Sequence, residues 1–330
     1  MRVLVTGGAG FIGSNYVRNA LAGAYDGFEP DELVVLDKFT YAGNRANLAP
    51  VAGDARLRVV VGDICDPAIV KQEMTGTDLV VHFAAESHVD RSIAGSAEFV
   101  MTNVVGTQTL LQGALDAEVG RFVHVSTDEV YGSIDEGSWP EDHPLAPNSP
   151  YSASKASSDL LARAFHITHG LNVSITRCSN NYGPYQFPEK VIPLFVTNLI
   201  DGLTVPLYGD GLNVRDWLHV DDHCRGIHLV AERGRAGEVY NIGGGTELTN
   251  RALTERVLEI TGRDWSSVRP VEDRKGHDRR YSVDISKISA ELGYRPEVDI
   301  DDGLLRTVRW YQENRAWWEP LKNAPRTGAR

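Results

Sequence analysis

A seven-residue glycine turn, Gly7-Gly8-Ala9-Gly10-Phe11-Ile12-Gly13, follows a β-branched run directly and opens a segment with helical spacing. The glycines satisfy Gly-x-x-Gly-x-x-Gly from Gly7 and Gly-x-Gly-x-x-Gly from Gly8. A chain needs glycine there when it must turn sharply, approach a pyrophosphate without a Cβ in the way and pack helix on strand, while the helix N-terminus offers donors and a positive dipole end. The turn therefore predicts a strand-turn-helix that holds a dinucleotide.

The rest of the chain fits that start. Short runs at Arg2 to Thr6, Glu32 to Asp37, Arg58 to Gly62, Leu79 to Phe83, Phe122 to Thr127 and Val173 to Arg177 read as strands buried on both faces. Helical spacing at Ile12 to Ala22, Phe99 to Ala117 and Ser152 to His169 alternates with them. This order predicts an α/β chain with a Rossmann-type doubly wound parallel sheet. After Pro184 the regularity fades and Gly, Pro, Arg and aromatic residues become denser. We read residues 1–184 as the dinucleotide domain, with some later segments returning to it, and residues 185–330 as a smaller α/β substrate lobe with helices near Asp222 to Glu232, Asn250 to Thr261 and Gly303 to Asn314. Disorder is expected only over Asn323 to Arg330.

Composition excludes several classes. With 330 residues, 42% hydrophobic and 24% charged, the chain is long enough for a substantial core and has the make-up of a soluble globular protein. A net charge of −12 argues against a surface built for nucleic acid or an anionic membrane. No apolar stretch approaches a membrane span, and the N-terminus has no signal-peptide pattern. Three cysteines, Cys65, Cys178 and Cys224, lack paired or ligand spacing, which fits a reducing cytoplasm. Histidines are scattered without ligand spacing, so no metal site is expected.

Asp37 closes the second strand, where a carboxylate accepts hydrogen bonds from an adenosine ribose and repels a 2′-phosphate, so NAD is favoured over NADP. Lys38 beside it works against that preference. Asp63 and Ile64 end the third strand, and Phe83, Ala84 and Ala85 end the fourth, placing them at the carboxyl edge where ligands of such sheets lie. Tyr151-Ser152-Ala153-Ser154-Lys155 puts a phenol and an ammonium four residues apart on one helix face. The ammonium, together with a cationic nicotinamide, is expected to lower the phenol's pKa. Two carboxyls, Asp128 and Glu129, follow Thr127 directly. Paired carboxyls in differing environments let one site hold an acid and a base together. Taken alone, the pair reads as a solvated acidic turn.

The glycine turn, Val125-Ser126-Thr127 and Tyr151 with Lys155 resemble the extended short-chain dehydrogenase/reductase family, and Thr127-Asp128-Glu129 resembles the signature of its dTDP-glucose 4,6-dehydratases. Further similar stretches run from Ala85 to Ser92, Arg177 to Tyr185, Tyr208 to Gly211, Arg215 to Trp217 and Asp273 to Tyr281, so the likeness covers roughly residues 1 to 320. It implies a tightly bound, recycled NAD held by Gly7, Gly10, Phe11, Ile12, Gly13, Asp37, Lys38, Thr40, Asp63, Ile64, Phe83, Ala84, Ala85, Ser87, Thr102, Tyr151, Lys155 and Asn181. It implies catalysis by Thr127, Asp128, Glu129, Tyr151 and Lys155: Tyr151 takes the 4-hydroxyl proton of a hexose as hydride leaves C4, Glu129 removes the C5 proton, Asp128 protonates the departing 6-hydroxyl, and the hydride returns to C6. A nucleotide sugar, dTDP-glucose first, would contact Ser87, Thr127, Asn180, Lys190, Val191, Pro206, Tyr208, Arg215, Asn250, Arg274, His277 and Tyr281. Such enzymes pair as homodimers through helices corresponding to Phe99 to Ala117 and Ser152 to His169, although the apolar Leu110, Leu111, Leu115, Leu160, Leu161 and Phe165 could equally be buried within one chain. Two other readings stand beside this one: a UDP-hexose 4-epimerase, which has no task for Asp128 and Glu129, and a non-enzymatic NAD-sensing regulator.

Overall fold

A computed structural model describes residues 1–274 and 276–323. Lys275 and the terminal segment expected to be disordered beyond Asn323 lie outside the described residues; Asn323 itself ends a helix. Seven parallel strands form the central sheet: β1 (Arg2–Thr6), β2 (Glu32–Asp37), β3 (Leu57–Val61), β4 (Leu79–His82), β5 (Arg121–Thr127), β6 (Val173–Cys178) and, much later in the chain, β10 (Val239–Ile242). Their order is β3-β2-β1-β4-β5-β6-β10, so the winding reverses between β1 and β4. Ligands bind at such a reversal, outside the carboxyl ends of the strands.

Alternation along β1 shows why both faces of the sheet are covered. Val3 and Val5 join one core cluster with Tyr16, Cys224, Ile227 and Val230, whereas Leu4 joins another with Val34, Leu110, Phe122 and Ile175. The first cluster is closed by helices α1 (Phe11–Leu21) and α8 (Val220–Arg233), the second by α2 (Pro67–Met74), α5 (Thr107–Asp116) and α6 (Pro150–His169). α5 continues a helical run that starts at α3 (Val89–Ala94) and α4 (Ala97–Phe99) and is π-wound from Val100 to Gly106. The expectation of strands buried on both faces fails at β3, whose residues are only partly covered because it is the sheet's edge.

A third cluster forms the remaining lobe, built on Phe195, Val196, Trp217, Leu253, Val257, Leu304, Tyr311 and Trp318. Its elements are β7 (Asn180–Tyr182), α7 (Val191–Ile200), β8 (Val205–Tyr208), β9 (Val214–His219), β11 (Glu247–Thr249), α9 (Asn250–Thr261), β12 (Val268–Val271), α11 (Ile300–Glu313) and α12 (Arg315–Asn323). α10 (Ser286–Leu292) returns to the sheet, burying Ile288 and Leu292 in the first cluster with α8 and β10. No described helix is long and apolar enough to cross a membrane.

Local chemistry sets the boundaries that matter for the site. α6 begins with a capping box: Ser149 Oγ accepts from Ser152 N at 3.1 Å and Ser152 Oγ accepts from Ser149 N at 3.0 Å, with Pro150 at the first helical position. Gly7 has φ +68°, and a Cβ there would stand 2.6 Å from Ala84 N, so the turn after β1 packs backbone to backbone against the end of β4. A Cβ on Gly13 would collide with the Gly7 carbonyl. Gly13→Ala is therefore expected to lower stability by about 1–3 kcal/mol, as overpacking does, and to weaken NAD binding at least tenfold in a titration; unchanged melting and affinity would contradict this packing.

Candidate active site

One cleft runs along the carboxyl ends of β1, β2, β4 and β5. It is lined by Gly7, Gly10, Phe11, Ile12, Gly13, Asp37, Lys38, Thr40, Asp63, Ile64, Phe83, Ala84, Ala85, Ser87 and Thr102, and farther in by Thr127, Asp128, Glu129, Tyr151, Lys155, Asn180, Asn181 and Lys190. Residues from nine separate stretches of chain thus meet at the reversal of the winding.

At one end the cleft suits a dinucleotide. Gly10 is the N-cap of α1 and supplies no side-chain acceptor, so the first-turn amides face the cleft without a cap. Asp37 is buried and accepts from Ala9 N at 2.9 Å and Phe39 N at 2.8 Å, which binds the carboxylate to the glycine turn. Burial raises its pKa, and these two amides oppose that rise. Lys38, whose charge would tolerate a 2′-phosphate, is paired with Asp63 at 2.7 Å. That pairing removes the objection to NAD.

At the other end stand the ionisable groups. Thr127 ends β5 and caps the following turn, its Oγ1 accepting from Glu129 N at 3.3 Å. The turn closes on Gly132 at φ +90°, where a Cβ would stand 2.5 Å from the Ala146 carbonyl oxygen. This geometry folds Asp128 inward: only 2% of it is exposed, and its Oδ2 has no hydrogen-bond partner. A solvated acidic turn is not what forms. Burial first, then Glu129 and Asp216, push the Asp128 carboxyl well above the usual range. Glu129 is also raised by burial, but Lys190 and Arg215 pull it back. The neighbours therefore stand in unlike environments, one disposed to keep its proton and the other closer to ionisation.

Tyr151 and Lys155 occupy one face of α6, both buried. The Lys155 ammonium donates to the Val125 carbonyl at 2.8 Å, and burial lowers its pKa to about 8. Among the protein's own groups, burial and then Glu129 hold Tyr151 well above its ordinary value, and a hydrogen bond with Thr127 works the other way; the lowering expected from Lys155 together with a cationic nicotinamide concerns the cofactor-bound site. The protein's own groups thus favour the neutral phenol, burial first and the neighbouring carboxyls after it.

Eight of the residues expected at the substrate do not line this cleft: Val191, Pro206, Tyr208, Arg215, Asn250, Arg274, His277 and Tyr281. Several gather beyond Glu129. Arg215 stacks over Tyr281 at 4.3 Å and donates to the Asp278 carbonyl at 2.8 Å, and Arg274 lies 5.2 Å over Tyr208. Arg215, Arg274 and Lys190 all act on Glu129, so this basic group adjoins the carboxyl end of the cleft. His277 is paired with Asp273 at 2.6 Å. Val191 and Asn250 begin α7 and α9, and Pro206 sits in β8 opposite Arg269 of β12. Cleft-lining residues that the sequence pattern does not single out include Tyr41, Gln186, Phe187 and Glu189. Only their position in space unites them.

Because the folded-state pKa of Asp128 is raised, the unfolded chain ionises first as pH climbs above about 4, and native stability is lost relative to unfolded by up to about 1.4 kcal/mol per pH unit until the folded pKa is reached. Asp128→Asn does not titrate. It is expected to melt at or near the parent's temperature at pH 4 and above it at pH 7, by about 1 kcal/mol or more; a variant less stable at pH 7 than the parent would contradict the burial just described.

Known proteins resemble this chain along most of its length. The sequence model of the GDP-mannose 4,6 dehydratase family matches residues 4–307. A dTDP-glucose 4,6-dehydratase of Streptomyces antibioticus is 64% identical over 326 residues, covering 98% of this chain and 96% of the relative. The crystal structure of DesIV, a dTDP-glucose 4,6-dehydratase from Streptomyces venezuelae solved with NAD bound, superposes with a TM-score of 0.97 at 71% identity, covering 97% of this chain and all of that one. A UDP-glucose 4-epimerase from Thermotoga maritima has the same fold at a TM-score of 0.86 and 32% identity, covering 96% of this chain and all of that one. The chain belongs to the family that these proteins define, the nucleotide-sugar dehydratase branch of the extended short-chain dehydrogenases/reductases.

Proposed function

We propose that this chain is an NAD-dependent hydro-lyase that converts dTDP-glucose to its 4-keto-6-deoxy product. The observation that carries the reading is the buried Asp128 beside Glu129, in the same cleft as Tyr151 and the glycine turn. An epimerase shares the fold and the phenol but needs no second and third acid there. Names and identities of the relatives point to the same substrate.

Loss of water across C5 and C6 requires removal of a C5 proton that is not acidic in the sugar itself. When bound, NAD supplies the acceptor for a hydride from C4 and the donor that returns it to C6. Tyr151, hydrogen-bonded with Thr127, takes the 4-hydroxyl proton as its phenolate, the form that the cationic nicotinamide of bound NAD would favour, and Lys155 contributes a positive charge while protonated. The resulting 4-ketone acidifies C5–H, which Glu129 removes under the pull of Lys190 and Arg215. Asp128, kept protonated by its burial, gives its proton to the departing 6-hydroxyl. Glu129 then reprotonates C5. In this reading Asp37 and the residues from Gly7 to Gly13 hold the dinucleotide, and Arg215, Arg274 and Lys190 face the diphosphate of the sugar nucleotide. Residues 1–184 other than β7, with α8, β10 and α10, form the dinucleotide domain, and β7 with the remainder of 185–330 is the substrate lobe.

The protomer is proposed to pair through α6 and the π-wound run before α5. Leu110 and Leu111 are consumed by the monomer's own core, and Leu161 and Phe165 pack against it. Ile93, Val100, Met101, Val105, Ile167 and the 58%-exposed Leu160 are not. Three free cysteines accord with a cytoplasmic setting.

Purified protein incubated with dTDP-glucose is expected to give a product 18 mass units lighter, as loss of water dictates, and to act at least tenfold less well on UDP-glucose. Asp128→Asn with Glu129→Gln should keep NAD binding and reversible oxidation at C4 while losing at least about 100-fold in dehydration, the low end of what general acid–base groups contribute. An unreduced epimer as product, or an unimpaired double variant, would refute the assignment.

A further inference from the structure

The deep cleft is bridged from wall to wall. Tyr41, from the loop after β2, and Phe187, from the segment between β7 and α7, both line it and meet edge to face with ring centroids 5.5 Å apart. Over Tyr41 lies the Arg91 guanidinium of α3, 3.7 Å from the ring centroid. Arg91 in turn pairs with Glu189 at 3.1 Å, two residues beyond Phe187. Lys190 completes the crossing, donating to the Ser87 carbonyl at 2.8 Å. Three stretches that follow β2, β4 and β7 are thereby joined across the same cleft that carries the glycine turn.

The segment on the substrate-lobe side is firmly mounted. Tyr185 holds a left-handed φ of +67°, a conformation that costs a non-glycine residue energy and persists only where surroundings enforce it. Its ring is gripped by Trp310 at 4.5 Å and by Arg18 of α1 at 4.2 Å. The Gln186 side chain donates to the Asn181 carbonyl at 2.9 Å, and the Tyr311 hydroxyl donates to the Gln186 carbonyl. Glu189 N and Lys190 N both donate to the Phe187 carbonyl, which rolls the segment into a tight turn presenting Phe187 to Tyr41.

We propose that Tyr41, Phe187 and the Arg91–Glu189 pair form a clasp that keeps the dinucleotide in its cleft from one turnover to the next. The inference rests on the dehydratase reading for its purpose: a cofactor whose hydride is lent and returned within one cycle must not exchange midway, and an aromatic contact backed by a stacked guanidinium and an ion pair is a barrier to its exit. None of these four side chains needs to touch a reacting atom. Their effect falls on the rate at which the dinucleotide leaves, the quantity that most separates related complexes.

The test is retention of the cofactor. The purified protein, Phe187→Ala and Phe187→Tyr are passed through repeated desalting, and NAD remaining bound is measured after extraction, with its dissociation rate followed by displacement with labelled NAD. The parent and Phe187→Tyr are expected to retain NAD, whereas Phe187→Ala should release it at least about tenfold faster. Arg91→Gln, which leaves both rings in place but removes the stacked cation and the ion pair, should shift the rate in the same direction. Equal dissociation rates in all four proteins, or a parent that itself loses NAD on desalting, would overturn the clasp. Failure of the parent to form a 4-keto-6-deoxy product, with the retention pattern intact, would instead strike the dehydratase reading.

Discussion

Taking the Asp128 carboxyl out of water beside the half-buried Glu129, just past the end of β5, is the constraint around which the rest of the site is arranged. Asp128 has little exposure and an oxygen without a partner, and Glu129 beside it makes ionisation of both unfavourable. Such a pair persists because the fold holds it from several sides. Thr127 caps the turn, Gly132 takes a backbone conformation that lets the turn close against Ala146, and Lys190 and Arg215 compensate Glu129 from the substrate lobe. In the proposed reading the two carboxyls are an acid and a base in consecutive residues, which elimination from a sugar requires and hydride transfer alone does not.

The two halves of the molecule meet at this pair. The doubly wound sheet brings the glycine turn, Tyr151 and Lys155 to one side, and the lobe built on α7, α9 and α11 brings basic and aromatic residues to the other. Glu129 acts on Tyr151 and on Tyr281 alike, so its charge state is felt across both. Fold alone does not select the chemistry, since an epimerase shares this architecture at a TM-score of 0.86. In the proposed reading, selection lies in the turn after Thr127.

Much of this was legible in the chain. β1 and β2 stand out because buried parallel strands are nearly unbroken apolar runs, and α6 shows itself through the helical spacing of Ser152 to His169. β3 was misjudged in burial because its apolar residues give no sign that it lies at the sheet's edge. β10 is only four residues long and includes the buried Asn241, so its pattern is too brief to mark a strand, and its membership depends on pairing with a β6 more than sixty residues earlier. Short strands of the second lobe, such as β7 and β11, likewise exist through distant partners. The carboxyl pair could be seen as a motif but not as buried, and the Tyr41–Phe187 contact has no local signal at all, because it joins residues brought together only by the tertiary fold. Spacing revealed likewise that Tyr151 and Lys155 share a helix face, but not that the ammonium is fixed on the Val125 carbonyl.

In the proposed reaction one active site oxidises C4, eliminates water and returns the same hydride to C6 while a protein carboxyl exchanges the C5 proton. Turnover of dTDP-glucose deuterated at C4, run in ordinary water and again as unlabelled substrate in deuterium oxide, examines all of it at once. The account requires the C4 label to appear at C6 of the same molecule without dilution by unlabelled cofactor in solution, and solvent deuterium to appear at C5. Label lost to the medium, label retained at C4, or a product without solvent deuterium at C5 would contradict it.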